Sequence, residues 1–306
     1  MRVPFIVYAD FESFTPQLST YQPNPDKSYT KGYQKHIPSG FCYHIKYFDD
    51  TLYSQEPVTF VKEYDDDDVA QIFIDTLEKN IKDSYEKFKF PKSVIMTMHD
   101  KTAYENFTLC HICNEELVKN RVREHCHLSG KCWGAAHEIC NLKYKVPKFF
   151  PVVFHNLSGY DNHLFIKILW NSEGDISCIP NNEENYISFR KQVIVDKFVN
   201  EEGNEVKVKR ELRFIDSLRF MVSSLDKLSS NLKIDQFDNL KKYYSGNQLS
   251  LLLRKGVYPY DYVDCSKKLD EKTLPPKEEC YSKLTGEGIT DEDYQHAHTF
   301  WKEFNI

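Results

Sequence analysis

The 306-residue chain predicts an α/β fold interrupted by a small cysteine- and histidine-rich insertion, and three observations carry that prediction. Runs of β-branched and aromatic residues alternate with stretches whose apolar residues recur at helical spacing. The composition then changes abruptly between residues 105 and 148, where five of the nine cysteines gather. With 41% apolar residues, the remainder is long enough to bury one large core.

The first strand is read from Pro4-Phe5-Ile6-Val7-Tyr8-Ala9-Asp10-Phe11-Glu12-Ser13. Side chains two apart on a strand share a face, so Asp10 and Glu12 point the same way. Residues 15 to 40 carry Pro16, Pro23, Pro25 and Pro38 and read as loop. Residues 41 to 48 and 58 to 61 read as strands that continue a meander from the first. Asp65 to Asp68 form the acidic start of a helix marked by Val69, Ile72, Phe73, Leu77 and Ile81.

After the insertion, Val152-Val153-Phe154-His155-Asn156-Leu157-Ser158-Gly159-Tyr160-Asp161 predicts a strand, a glycine turn and a helix start. Leu164, Phe165 and Ile168 mark the inner face of that helix. Residues 186 to 190 and 205 to 216 read as strands joined through Gly203-Asn204. Shorter helices follow near 224 to 228 and 249 to 253, and an acidic-start helix over 290 to 301. Tyr260 to Asp264 follows Pro259 and carries no helical apolar stripe, so it reads as loop.

An apolar strand that ends in two carboxylates, with no basic residue between them, leaves like charges to raise each other's pKa unless a cation lies close. A divalent ion is the obvious compensation. Asp161 reads either as a helix cap or as a third acid for the same ion.

Cys110-x2-Cys113 and His137-x2-Cys140 pair two ligands with two more at the spacing used by tetrahedral structural zinc. Cys126 and Cys132 are alternative ligands, each without a partner at that spacing. A segment this poor in apolar residues needs a metal to fold, and structural zinc supplies on the order of 10 kcal/mol.

Asp10-Phe11-Glu12 and Asn156-x3-Tyr160-Asp161 resemble the first and second motifs of the DEDD 3′-5′ exonuclease domain of family B DNA polymerases. The wording Pro-Val-Val-Phe-His-Asn-Leu-Ser-Gly-Tyr-Asp is similar to the protein-primed polymerases of Maverick/Polinton elements, related viruses and linear plasmids, and the resemblance spans nearly the whole chain. It implies a ribonuclease H-like fold, with a mixed central sheet flanked by helices and a zinc-bound ββα insertion. The exonuclease would occupy residues 1–104 and 149–240, the insertion 105–148, and a helical and loop segment 241–306. That segment would lead to the third exonuclease motif, so the chain is expected to be a fragment of a DNA-directed DNA polymerase, weak or inactive as an exonuclease by itself.

The same resemblance implies that Asp10, Glu12 and Asp161 hold two Mg2+ or Mn2+ ions. Ser13, Asn156, Tyr160, Ser217 and Leu218 would contact a single-stranded 3′ end of DNA. Deoxynucleotides and a terminal protein are partners in the full-length family. The insertion, through Glu124-His125-Cys126-His127 and Asn141, resembles the endonuclease VII group of His-Me nucleases. This implies Glu124 and Asn141 around one further Mg2+, His127 as general base and His125 in support. Glu124 stands where that group carries Asp, and Trp133 where it carries Arg. An alternative is a nucleic-acid-binding remnant that grips through Lys143, Lys145 and Lys148 without turnover.

The net charge of −6 argues against indiscriminate binding to polyanions and for a local groove. No apolar run reaches a membrane span and the first strand begins almost at Met1. A soluble intracellular protein without membrane contacts is therefore expected, in nucleus, cytoplasm or mitochondrion.

Overall fold

The structure is a computed structural model that describes residues 3–18, 32, 34–48, 53–118, 120–144, 147–182, 186–283 and 285–306. Most of the loop expected over 15 to 40, and Lys145, lie outside the described residues. A seven-stranded mixed sheet organises the chain. Its strands are β1 (Phe5–Phe14), β2 (Ile37–Tyr47), β3 (Val58–Val61), β6 (Phe149–Phe154), β7 (Ile176–Pro180), β8 (Tyr186–Val199) and β9 (Glu205–Asp216). In space they run β3-β2-β1-β6-β9-β8-β7. The central trio β1, β6 and β9 is parallel, with Val7 beside Val152 and Phe154 beside Asp216. The outer pairs are antiparallel hairpins.

Alternation along β1 decides which side is core. Phe5, Val7, Ala9, Phe11 and Ser13 are buried, whereas Tyr8, Asp10 and Glu12 are exposed. The shared face expected for the two acids is therefore realised, and it is the face turned away from the apolar layer. Helices α1 (Val69–Phe88) and α4 (Asp161–Asn171) cover the apolar side. Phe165 of α4 is fully buried and packs on Phe11, Phe154 and Phe73 with ring centroids 5.5, 5.6 and 5.5 Å away. Burying each such ring contributes about 1.5–3 kcal/mol, so this layer fixes where α4 starts.

The acidic run before α1 serves as its cap: Gln71 N–H donates to Asp68 Oδ1 at 3.0 Å, and Asp67 accepts from Glu63 and Tyr64. β2 begins at Ile37, earlier than expected, because residues 37 to 40 pair with the last turn of β1 through a register shift after Glu12. Two elements were not foreseen: α2 (Met98–Asn106), which has no buried residue, and the edge strand β7.

The insertion folds as a two-stranded hairpin, β4 (Arg121–His125) and β5 (Cys132–His137), followed by α3 (Glu138–Lys143). The segment before α2 docks on its tip, with Lys92 N–H donating to His127 O and Ile95 N–H to Gly130 O. Gly130 has φ +79°, and a Cβ there would lie 2.6 Å from Ser93 O, so both the turn and the close approach require glycine. Beyond β9 come α5 (Leu225–Ser230), α6 (Gly246–Leu252) and α7 (Asp291–Phe304), the last capped by Thr290. Among the described residues no helix is long and apolar enough to cross a membrane.

Candidate functional site

Two clusters of ligand-type side chains emerge. The first lies at the carboxyl ends of the parallel strands, where α/β sheets place their sites. The Phe11 N–H, between Asp10 and Glu12, donates to Asp161 Oδ1 at 3.3 Å. Asp161 is 2% exposed, and the residue expected to be either a cap or a third acid thus reaches the strand that carries the other two.

Charge crowding follows. Burial and then the neighbouring Asp10 push Asp161 up to about 7. Glu12 also rises to about 7, first because protein packed around it strips part of its hydration and then because of Asp10, with Lys255 opposing. Asp10 shifts in the same direction by dehydration, opposed by the Phe11 N–H and His155. Asp10 and Glu12 keep an open side to solvent. The three acids do not converge as one tight ligand set: among the described residues, only the sulfur and nitrogen group described below has all its ligand atoms within 4.8 Å of one another.

Tyr160 and Ser13 stand beside the acids. Their hydroxyls are hydrogen-bonded, and His36 Nδ1 lies 3.0 Å from the Tyr160 oxygen and 3.2 Å from Ser13 Oγ. Asn156 is exposed in the left-handed region at φ 73°, which Asn tolerates better than most residues. Ser217 is elsewhere engaged: 3% exposed, it donates to Phe154 O at 2.9 Å and sits 2.9 Å from His155 Nδ1. Leu218, half-buried, follows it in a short 3-10 turn.

Two features were missed at the level of sequence. Asp216, 4% exposed, accepts from the N–H groups of Asn156 and Leu218 through Oδ1 (2.9 and 3.0 Å) and from Ser158 through Oδ2 (3.0 Å). Burial acts to raise its pKa, but those donors outweigh burial and hold it below the usual carboxylate range. Its partners on the Asn156 turn, 58 and 60 residues away, leave no signal in the sequence; only the Leu218 N–H, two residues on, is local. The other is the Tyr258–Tyr260 segment. Thr15 donates to Tyr260 O at 2.6 Å, which ties that segment to the end of β1. Burial and then the charge of Glu12 raise both tyrosine hydroxyls to about 12. As expected, Tyr260 lies in a turn and not on a helix.

The second cluster is the insertion. Cys110, Cys113, His137 and Cys140 form the 4.8 Å group and can hold one metal such as zinc. His137 Nδ1 lies 3.5 Å from Cys113 Sγ and 3.8 Å from Cys140 Sγ. Bonds of ~2.3 Å to sulfur and ~2.0 Å to nitrogen at a tetrahedral angle put such atoms about 3.6 Å apart, so the fit is good. His137 Nε2 donates to Glu116 O at 3.0 Å, which turns Nδ1 toward the sulfurs. Burial would raise Cys110, yet N–H groups of Cys113, His137 and Ile112 bring its thiol down to about 6. Burial and the neighbouring sulfurs push Cys140 up to about 11, a repulsion that a cation relieves. Cys126 and Cys132 stand outside this group.

Next to it, Glu124, His125, His127 and Asn141 line one small cavity with Trp133 and Tyr144. Glu124 is 2% exposed, and its Oε2 has no hydrogen-bond partner. Its nearest basic neighbour is His111 Nε2 at 3.8 Å. Burial and then Cys110 raise its carboxyl to about 7. His125 and His127 stack with centroids 5.0 Å apart, and burial and His125 lower the pKa of His127.

Comparisons of the chain with protein-family models, curated proteins and solved structures return no match.

Proposed function

We propose that the chain is the 3′-5′ exonuclease region of a protein-primed family B DNA polymerase, with a ribonuclease H-like fold. The observation that carries this reading is the Phe11 N–H···Asp161 bond, which joins two acidic motifs 150 residues apart at one strand end. The strand order β3-β2-β1-β6-β9 and its parallel central trio support it, since that topology puts Asp10, Glu12 and Asp161 at the carboxyl ends of adjacent strands.

Asp10, Glu12 and Asp161 would hold the two Mg2+ or Mn2+ ions, which when bound supply a nucleophilic hydroxide and neutralise charge on the leaving 3′ oxygen. The chain's own residues do the positioning. Tyr160, fixed by Ser13 and His36, offers a ring edge and a hydroxyl to an unpaired terminal nucleotide. Asn156 lies on the exposed turn that Asp216 holds, four residues before Tyr160.

The test is Mn2+ binding followed by electron paramagnetic resonance, together with mononucleotide release from a frayed 3′ end. Wild type is expected to bind Mn2+, and Asp10→Ala and Asp161→Ala to bind it at least 10-fold more weakly and to lose any nucleotide release. A wild-type chain that neither binds Mn2+ nor releases nucleotides overturns the reading.

The orphaned Glu124 Oε2 favours a second reading, a His-Me endonuclease in the insertion. There Glu124 and Asn141 would hold one Mg2+, and His127, kept neutral by burial, would accept a proton from water. Internal nicks that vanish in His127→Ala and persist in Asp10→Ala are its signature.

A further inference from the structure

The cavity that holds His127 is not isolated. It shares Pro4, His127 and Leu128 with a cleft of about 310 Å3, floored by Phe5, Phe88, Phe149 and Phe150. That cleft shares Lys148, Phe149 and Arg210 with a further one of about 240 Å3, to which Lys209 and Arg213 contribute. Together they make one trough along the amino ends of β6 and the preceding part of β9. Lys148 and Phe154 are six positions apart, so the trough lies about 20 Å from the carboxylate end of the same strands, at roughly 3.3 Å per residue.

Its chemistry is specific. Four cations face the Lys209–Arg213 end against one lining acid, Glu211. Glu211 pairs with Arg213, and Lys209 lies 3.0 Å from the exposed Asp175. Arg210 and Lys148 have no carboxylate partner among the described residues. Arg210 is half-buried, stacked 4.8 Å from the Tyr85 ring and anchored through one N–H to Lys209 O. Arg213 lies 3.6 Å over the Phe149 ring. A guanidinium held flat on an aromatic ring keeps its N–H edge oriented at little entropic cost, and a phosphate is the anion that matches that fork.

We propose that this trough seats a single strand of nucleic acid, its phosphates on Arg210 and Lys148 and its sugars and bases against the half-buried Phe88 and Phe149, leading toward His127. A cationic rim over an aromatic floor is the composition a single strand requires, because a duplex keeps its bases out of reach of such a floor. The inference extends the nucleic-acid reading but does not need either nuclease to turn over.

Fluorescence anisotropy on the full chain, zinc-loaded and without added Mg2+ or Mn2+, tests it with a labelled 12-nucleotide strand, a 12-base-pair duplex and tripolyphosphate. The single strand is expected to bind most tightly. Arg210→Gln combined with Lys148→Gln is expected to weaken it about 10-fold or more and to flatten the log–log salt slope by about 1.4, or about 0.7 per phosphate contact. Lys148→Gln alone, at an exposed position, is expected to flatten it by about 0.7 and keeps the test intact if the Arg210 variant fails to fold. Unchanged affinity and slope in the folded variants, tripolyphosphate bound as tightly as the strand, or preference for the duplex would each overturn the proposal. Lys302→Gln, at an exposed position of α7 outside the trough, is expected to leave the slope unchanged. A slope that flattens equally in that variant would mean diffuse charge and not the trough binds the strand, and would overturn the proposal.

Discussion

The sulfur and nitrogen quartet and the carboxylate cleft both gather groups that repel when ionised, yet only the quartet is drawn to bonding distances. In the quartet, backbone groups hold two of the ligands: His137 N–H donates to Cys110 Sγ at 3.4 Å, and Glu116 O fixes the imidazole. In the cleft, a single N–H holds Asp161, while Asp10 and Glu12 stay on the solvent side of β1. Ionised groups repel in both sites, and the backbone N–H bonds to Cys110 hold the quartet together against that repulsion. The quartet can hold one metal such as zinc, and that ion is expected to be part of the insertion's stability. The cleft, by contrast, is the proposed site for exchangeable ions.

Removing zinc should break this contrast most severely. Metal binding supplies on the order of 10 kcal/mol to a module of this kind, far more than the few apolar contacts of the hairpin can replace. Chelation, or Cys113→Ala, is expected to open residues 108 to 143 to protease while the seven-stranded sheet stays protected in hydrogen exchange. An insertion that remains resistant after its zinc is gone would place the quartet beside the cleft as another loading site.

A sharper contrast lies within the cleft, between two buried acids. Asp216 has three N–H donors and a depressed pKa, whereas Asp161 has a single cross-strand donor, two acidic neighbours and a raised one. Asp216→Ala leaves three backbone N–H groups without their acceptor. It should cost about 3–5 kcal/mol in urea unfolding, since each stranded buried donor costs about 1–3 kcal/mol and the turn can partly relax. The contribution of Asp216 is present above its unfolded pKa near 4 and is lost as pH falls through its lower folded value. The variant's deficit is therefore expected to shrink in acid. A loss below 1 kcal/mol would mean that the Asn156 turn does not depend on it.

Much of this was legible in the sequence because burial follows pattern. Phe5, Val7, Ala9 and Phe11 alternate, Phe73, Leu77 and Ile81 recur at helical spacing, and the Cys-x2-Cys and His-x2-Cys pairs announce their own geometry. What escaped has no pattern to read. Helix α2 buries nothing and is held at its start by a Thr97–Asp100 capping box, so it carries no apolar stripe. β7 is a short edge strand ending in Pro180. Lys255 and Tyr260 matter through partners more than 240 residues away, and two of the three donors to Asp216 lie 58 and 60 residues away; chain separation of that kind leaves no local trace. Ser217 could be read as a surface contact only because its hydroxyl's partner, Phe154 O, is equally distant in sequence.

The smallest expected effect carries the opposite sign and reads the burial and the crowding of Asp161 together. A carboxyl whose folded pKa is raised holds its proton while its unfolded counterpart gives it up, so the folded state loses ground as pH rises between the two values. For Asp161 that window runs from the ordinary value of 3.8 to about 7, and the penalty is fully present above it. Asp161→Asn keeps an acceptor for the Phe11 N–H and removes the charge. The variant should therefore match wild type at pH 4 and exceed it at pH 8 by on the order of 2 kcal/mol in chelator, less than the full shift because water and side chains relax around the acid. Saturating Mn2+ should reverse the order at pH 8, since it stabilises only the chain with the complete carboxylate set. Equal stability at pH 8 without metal would mean that neither burial nor the neighbouring acids penalise the Asp161 charge, and the contrast between a folded-in metal and a loadable one would lose its electrostatic basis.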